Sequence, residues 1–163
     1  LLAVVGDCAS PEVKAARANV RNWQTRPALS LACCCGFLEV ARLLLDAGAD
    51  PDAADEQGFT ALHESCHEGF TPLVELLLAR GADPAGGVGW RTPRRPREPE
   101  QLCMSPLGIA CKRGAYTAAR ALLLADPTQA CVLDTEGLPP FFTAALYKHV
   151  ACAEAVRVLA RHD

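Results

Sequence analysis

The most constraining feature of this chain is a pair of phrases that both recur after 33 residues. Ala28-Leu29-Ser30 has its counterpart in Ala61-Leu62-His63, and Ala-Gly-Ala-Asp-Pro at 47–51 returns as Arg-Gly-Ala-Asp-Pro at 80–84. A unit of this length is too small to bury its own apolar face, so neighbouring units must stack. The spacing therefore predicts a repeat solenoid with an extended concave surface, and such a surface usually binds another protein.

Length and composition allow one well-buried domain and exclude several classes of partner. The chain has 163 residues, and half of them are apolar. Its net charge of −3 is mild and favours neither nucleic acid nor a membrane surface. No apolar run approaches the roughly 18 residues that a spanning helix needs, so we expect no membrane insertion. Because the chain does not begin with Met, we expect a fragment of a larger protein, and we expect that fragment to be a monomer.

The cysteines indicate a reduced environment. There are nine, an odd number, and none form a Cys-x-x-Cys pair, so neither a disulfide framework nor a structural zinc module is expected. Cys33, Cys66 and Cys111 occupy the same place in three successive units, where a small apolar residue suits close helix packing. We therefore expect an intracellular protein, cytoplasmic or nuclear.

The repeat pattern divides the chain into five units and one insertion. The predicted boundaries are a worn N-terminal unit at 1–21, full units at 22–54 and 55–87, a Pro/Arg-rich insertion at 88–99, a unit at 100–133 and a divergent C-terminal unit at 134–163. Within the last unit, the pattern predicts about three extra residues in the helix–helix turn around Tyr147–Cys152.

Each unit carries signals for helix, turn, helix and a hairpin-like finger. Thr60 is placed to cap the first helix of its unit by accepting a backbone N–H hydrogen bond. Gly36, Gly69 and Gly114 lie where that helix must stop and the chain reverse, which suits a left-handed backbone. In the second helix, apolar residues follow helical spacing, and Gly-Ala-Asp-Pro then leads into an extended turn.

These features resemble the ankyrin repeat, whose pattern reads roughly Asp-x-x-Gly-x-Thr-Pro-Leu-His-x-Ala, Gly, a Val-rich helix, then Leu-Leu-x-x-Gly-Ala-Asp. The resemblance covers nearly the whole chain and is strongest over 22–84. It implies an all-α solenoid of stacked helix-turn-helix units with β-hairpin-like fingers, in which fingers and first helices line the concave face. Only His63 keeps the family histidine, which Ser30, Gly108 and Phe142 replace in the other units.

An enzymatic alternative comes from His63-Glu64-Ser65-Cys66-His67, which matches the zinc-hydrolase pattern His-Glu-x-x-His. However, His63 falls on the histidine of the repeat pattern, where its side chain would bond nearby backbone and brace the finger. No motif supplies a third ligand. We therefore predict no catalytic residue, no metal and no cofactor, and keep a zinc hydrolase only as the less favoured function.

Binding is predicted at positions that the repeat does not bury in its core, at the finger tips and the ends of the first helices. The candidates are Trp23, Gln24, Arg26, Glu56, Gln57, Phe59, His67, Glu68, Leu102, Met104, Lys112, Arg113, Thr135, Glu136, Leu138 and Tyr147. Exposed aromatic and soft apolar side chains carry much of the binding energy at interfaces, so we expect Trp23, Phe59, Met104 and Tyr147 to be the anchors. The alternative is that these side chains pack on the adjacent finger.

The insertion holds Arg91, Arg94, Arg95 and Arg97 among prolines, which prevent a helix. Arginine suits bidentate anion contacts, so this loop is a possible docking element for an acidic or phosphorylated ligand. A solvated, variable loop is the interpretation we favour. The predicted function is an adaptor, regulator or substrate-receptor segment that binds a partner protein, with a spacer in a longer solenoid as the alternative.

Overall fold

The structure is a computed structural model that describes residues 11–22, 25–86, 104–134 and 137–160. Within these ranges the chain forms helices joined by short turns, and no strand is present. The α-helices are α1 Pro11–Ala18, α2 Ala28–Cys34, α3 Leu38–Asp46, α4 Ala61–Glu68, α5 Thr71–Ala79, α6 Pro106–Arg113, α7 Tyr116–Ala125, α8 Pro140–Leu146 and α9 Val150–Leu159, and a 3-10 helix spans Pro127–Cys131. None of these helices is long and apolar enough to cross a membrane.

The helices stack in two layers. The inner helices α2, α4, α6 and α8 pack one on the next, and the outer helices α3, α5, α7 and α9 do the same. Each inner helix also packs against the outer helix that follows it. This arrangement confirms the all-α repeat solenoid that the sequence predicts.

Small and apolar residues fill the space between the layers. Cys33, Cys66 and Cys111 are fully buried at equivalent positions of α2, α4 and α6, which confirms their predicted packing role. Burial raises the pKa of the Cys33 thiol to about 11 and that of Cys111 to about 12. These thiols therefore stay protonated near neutral pH and act as apolar core groups.

The inner helices end as the sequence predicts. Gly36, Gly69 and Gly114 have φ angles of 74°, 75° and 74°, in the left-handed region that glycine adopts without steric cost. The chain then reverses within one or two residues, so each outer helix runs back along its inner helix.

The final unit departs from prediction. The expected extra residues in its helix–helix turn are absent: α8 ends at Leu146 and α9 begins at Val150, which leaves the same three-residue spacing as the turn between α2 and α3. Lys148 takes the place of the glycine with a φ of 62°. The predicted extra residues are therefore wrong, because Lys148 supplies the left-handed turn that glycine supplies in the other units.

Hydrogen bonds to side-chain oxygens also join the turn of one repeat to the turn of the next. Asn19 accepts a hydrogen bond from the Asp50 amide at 2.8 Å, and Asp52 accepts one from the Asp83 amide at 2.9 Å. The two acceptors are 33 positions apart, like the phrases of the sequence. These bonds fix the angle between successive units and hence the position of the fingers.

Candidate functional site

The finger loops are closed by one polar side chain at their base. The Asp55 carboxylate accepts hydrogen bonds from the Gln57 amide at 2.8 Å and the Phe59 amide at 3.0 Å. Two other fingers have the equivalent bond. The Arg26 amide donates to the Asn22 side chain, and the Leu138 amide donates to the Asp134 carboxylate, both at 2.9 Å. In the finger at 55–59 these bonds hold the base of the loop, and the tip residues Glu56 and Gln57 are exposed.

An open groove of about 570 Å³ lies between the fingers and the inner helix α4. We call it the finger groove, and its lining residues are Arg26, Asp55, Glu56, Gln57, Phe59, His63, Glu64 and His67. Five of these, Arg26, Glu56, Gln57, Phe59 and His67, are among the binding residues that the sequence predicts. The groove therefore brings together candidates from two fingers and one helix.

The finger groove is acidic. It holds the carboxylates of Asp55, Glu56 and Glu64 against one guanidinium, that of Arg26. Arg26 and Glu64 form an ion pair that crosses from one unit to the next, and both side chains are mostly shielded from solvent. The charges of this ion pair cancel. Asp55 and Glu56 therefore give the finger side of the groove a net negative charge.

Phe59 provides the apolar part of the groove. Its ring meets the His63 ring edge to face, with centroids 5.4 Å apart and an interplanar angle of 72°. Phe59 is half-buried against the core. Packing within the fold and exposure to a partner, the two interpretations weighed from the sequence, therefore both apply to it. The ring packs on the core and also lines the groove.

His63 serves the fold. Its side chain is 1% exposed, and Nδ1 accepts the Thr60 backbone N–H at 3.0 Å, while the Thr60 side chain in turn caps the start of α4. The His63 ring also hydrogen-bonds the main chain of Met104. Because both interactions occupy the ring, the His-Glu-x-x-His segment acts as a helix cap and brace. Among the described residues, no three His, Cys, Asp or Glu side chains group to hold a metal ion.

A second recess, of about 400 Å³, lies at the opposite end of the inner helices. We call it the turn recess, and its lining residues are His67, Glu68, Gly69, Lys112, Arg113, Gly114, Ala115 and His149. Arg113 donates from Nε to the His67 carbonyl at 3.0 Å. Lys112 places its ammonium 5.4 Å from the centroid of the Tyr147 ring, in cation–π contact.

The other predicted binding residues lie in different surroundings. Tyr147 is exposed beside the turn recess, whereas Leu138 is half-buried at its finger. Met104 packs over Gly108 and the core, so its main contacts are internal. The remaining predictions lie outside the described residues: Trp23, Gln24, Leu102, Thr135, Glu136, Arg91, Arg94, Arg95 and Arg97.

The predicted binding set omits three charged or titratable residues of the two cavities: Asp55 and Glu64 in the finger groove, and His149 in the turn recess. Asp55 and Glu64 carry the charge of the finger groove, and His149 lines the turn recess. Asp55 was detectable as the first residue of a finger, and Glu64 as the inner-helix residue one turn before Glu68. His149 was missed because the last turn was aligned with extra residues.

Comparison with known families agrees with this architecture. Residues 7–85 match the family model described as "Ankyrin repeats (3 copies)". A search of curated proteins found no match. Ankyrin repeats generally serve as protein–protein interaction modules and are typically non-enzymatic. Residues 7–85 belong to the ankyrin-repeat family, and the helix pairs that follow them continue the same two-layer stack.

Proposed function

We propose that this chain binds a partner protein on its concave surface and acts as an adaptor, regulator or substrate-receptor segment. The observation that carries the proposal is the finger groove, where five residues chosen from the repeat pattern surround one cavity. The units at 22–54, 55–87, 100–133 and 134–163, with the worn unit at 1–21, form the proposed scaffold, and the insertion at 88–99 is proposed as a variable loop.

The chemistry of the finger groove indicates the kind of partner. Asp55 and Glu56 offer carboxylates beside the half-buried ring of Phe59. A partner segment with a basic side chain next to an apolar or aromatic one would satisfy both features. Buried anchors near the centre of an interface typically contribute most of the binding energy, so Phe59 is the proposed anchor.

One observation favours the alternative that the chain is a spacer within a longer solenoid. Phe142 is 58% exposed and Leu146 is 63% exposed on the inner helix α8. At the position of Phe142 in α4 stands His63, which is 1% exposed. A spacer would keep its associations when the finger groove is altered, so the two functions make different predictions.

We expect the double variant Glu56→Ala/Phe59→Ala to lose its partner. In affinity capture from cell lysate, recovery of the specific partner should fall about tenfold or more, because an anchor and a facing charge are removed. Leu124→Ala/Glu75→Ala is the matched control, since both residues are exposed on outer helices. Circular dichroism should show that both variants are folded. Equal recovery with the two variants would contradict the proposed site.

A further inference from the structure

Two cations of the turn recess are held in place by uncharged groups. Arg113 is fixed through its Nε bond to the His67 carbonyl, and Lys112 through its contact with the Tyr147 ring. Among the described residues neither forms an ion pair, whereas Arg26, Arg42 and Arg80 each have a carboxylate partner. The recess thus presents two oriented positive charges that form no ion pair with any described residue.

The donors of Arg113 remain available for a ligand. A guanidinium has five N–H groups, and in the described part of the chain only the Nε–H is engaged. The terminal amino groups can therefore form the two parallel bonds that a carboxylate accepts. Because the side chain is already oriented, binding would cost less conformational entropy than for a free surface arginine.

The acidic residue of the recess does not cancel these charges. Glu68 lies in the same recess, but its carboxylate hydrogen-bonds His67 Nδ1 at 2.8 Å. Lys112 and Arg113 bring two positive charges against the one carboxylate of Glu68, so the recess is positive. The finger groove is negative, and His67 lines both cavities, so one surface path joins regions of opposite charge.

We infer that the turn recess is a second docking site, which binds the carboxylates of an acidic peptide segment of the partner. This inference rests on the proposed protein-binding function and adds to it the polarity of the ligand. The partner segment carries a basic side chain at the finger groove and acidic side chains at the turn recess. Like charges at either end oppose the reverse orientation.

Lys112 and Arg113 lie in the last turn of α6, where positive charges also interact favourably with the helix dipole. A role confined to the dipole predicts a small loss of stability when the charges are removed and no effect on ligand binding. The peptide measurement below separates the two roles.

The test uses a fluorescein-labelled hexaglutamate peptide and fluorescence anisotropy at low ionic strength. We expect saturable binding to the wild-type chain and an about tenfold higher Kd for Lys112→Gln/Arg113→Gln, since two charge-assisted contacts are lost. The control Arg120→Gln/Arg157→Gln removes the same charge from exposed positions on outer helices and should change the Kd by less than about twofold. Equal weakening in both variants, or no binding to the wild type, would overturn the inference.

Amide chemical shifts locate the peptide independently of the variants. On titration with the peptide, the largest shifts in the wild-type chain should fall on Gly69, Gly114, Ala115 and His149. Shifts centred elsewhere would reject the turn recess as the site. The capture variant in the finger groove leaves Lys112 and Arg113 intact. Unchanged capture by that variant with retained peptide binding would therefore reject only the proposed function at the finger groove. Lost capture by that variant, with no peptide binding to the wild-type chain, would reject only the acidic-ligand inference.

Discussion

Gly86→Ala should lower the free energy of unfolding by about 3 kcal/mol, because it adds overpacking to backbone strain. Gly86 is buried with a φ of 61°, in the left-handed region. A Cβ built there would lie 2.6 Å from His63 Cε1 and 2.6 Å from Pro106 Cγ. Both neighbours are buried parts of helix starts, so neither can move without disturbing a cap. Urea unfolding followed by circular dichroism measures the change.

Gly81→Ala separates the strain of the backbone from the clash. Gly81 has a φ of 85°, but a Cβ built there has no atom within 4 Å. The control should therefore cost only the backbone term, about 1–2 kcal/mol. If the two variants were equally stable, Gly86 would not be the close contact between α4 and α6 that the structure describes.

The second large effect is a loss of stability on acidification, caused by His63. Burial lowers the pKa of His63 from its ordinary 6.5 to about 4. Between these values the unfolded chain binds a proton that the folded chain does not, so the stabilisation is complete above pH 6.5 and is lost as the pH falls towards 4. The contribution amounts to about 2 kcal/mol between pH 7.5 and 5.

His63→Asn provides the comparison. Asparagine can still accept the Thr60 N–H, but it does not titrate, so the variant should be less stable at neutral pH and show a flatter dependence between pH 7.5 and 5. The free energy of unfolding at several pH values measures both slopes. Identical slopes for the variant and the wild type would show that His63 is not the group that titrates.

The repeated architecture was predictable because its signals are local and recur. The caps and turn glycines, such as Thr60 and Gly69, act within a few residues, and repetition of the same phrase excluded chance. The cysteines of the inner helices could be assigned to the core because Cys33 and Cys66 are 33 positions apart. The spacing and these local signals predicted the repeated helix, turn, helix and finger, and the resemblance to the ankyrin repeat implied how the units stack.

What could not be predicted depends on contacts between units. No local signal shows that Arg26 pairs with Glu64, 38 residues later, or that Met104 folds over Gly108. The last turn was misaligned because Lys148 adopts a left-handed backbone that glycine usually provides. The repeat pattern did identify exposed binding positions, such as Glu56 and Gln57. The sign of charge in each cavity required the structure.

The most direct test of partner binding on the concave face is site-specific photo-crosslinking in cell lysate. A photoreactive amino acid replaces Gln57, an exposed finger-tip residue that lines the finger groove, or Leu124, which is 60% exposed on the outer helix α7. The account predicts a discrete crosslinked protein from position 57 and none of the same protein from position 124. Crosslinking of that protein from 124 alone, or equally from both positions, would contradict it.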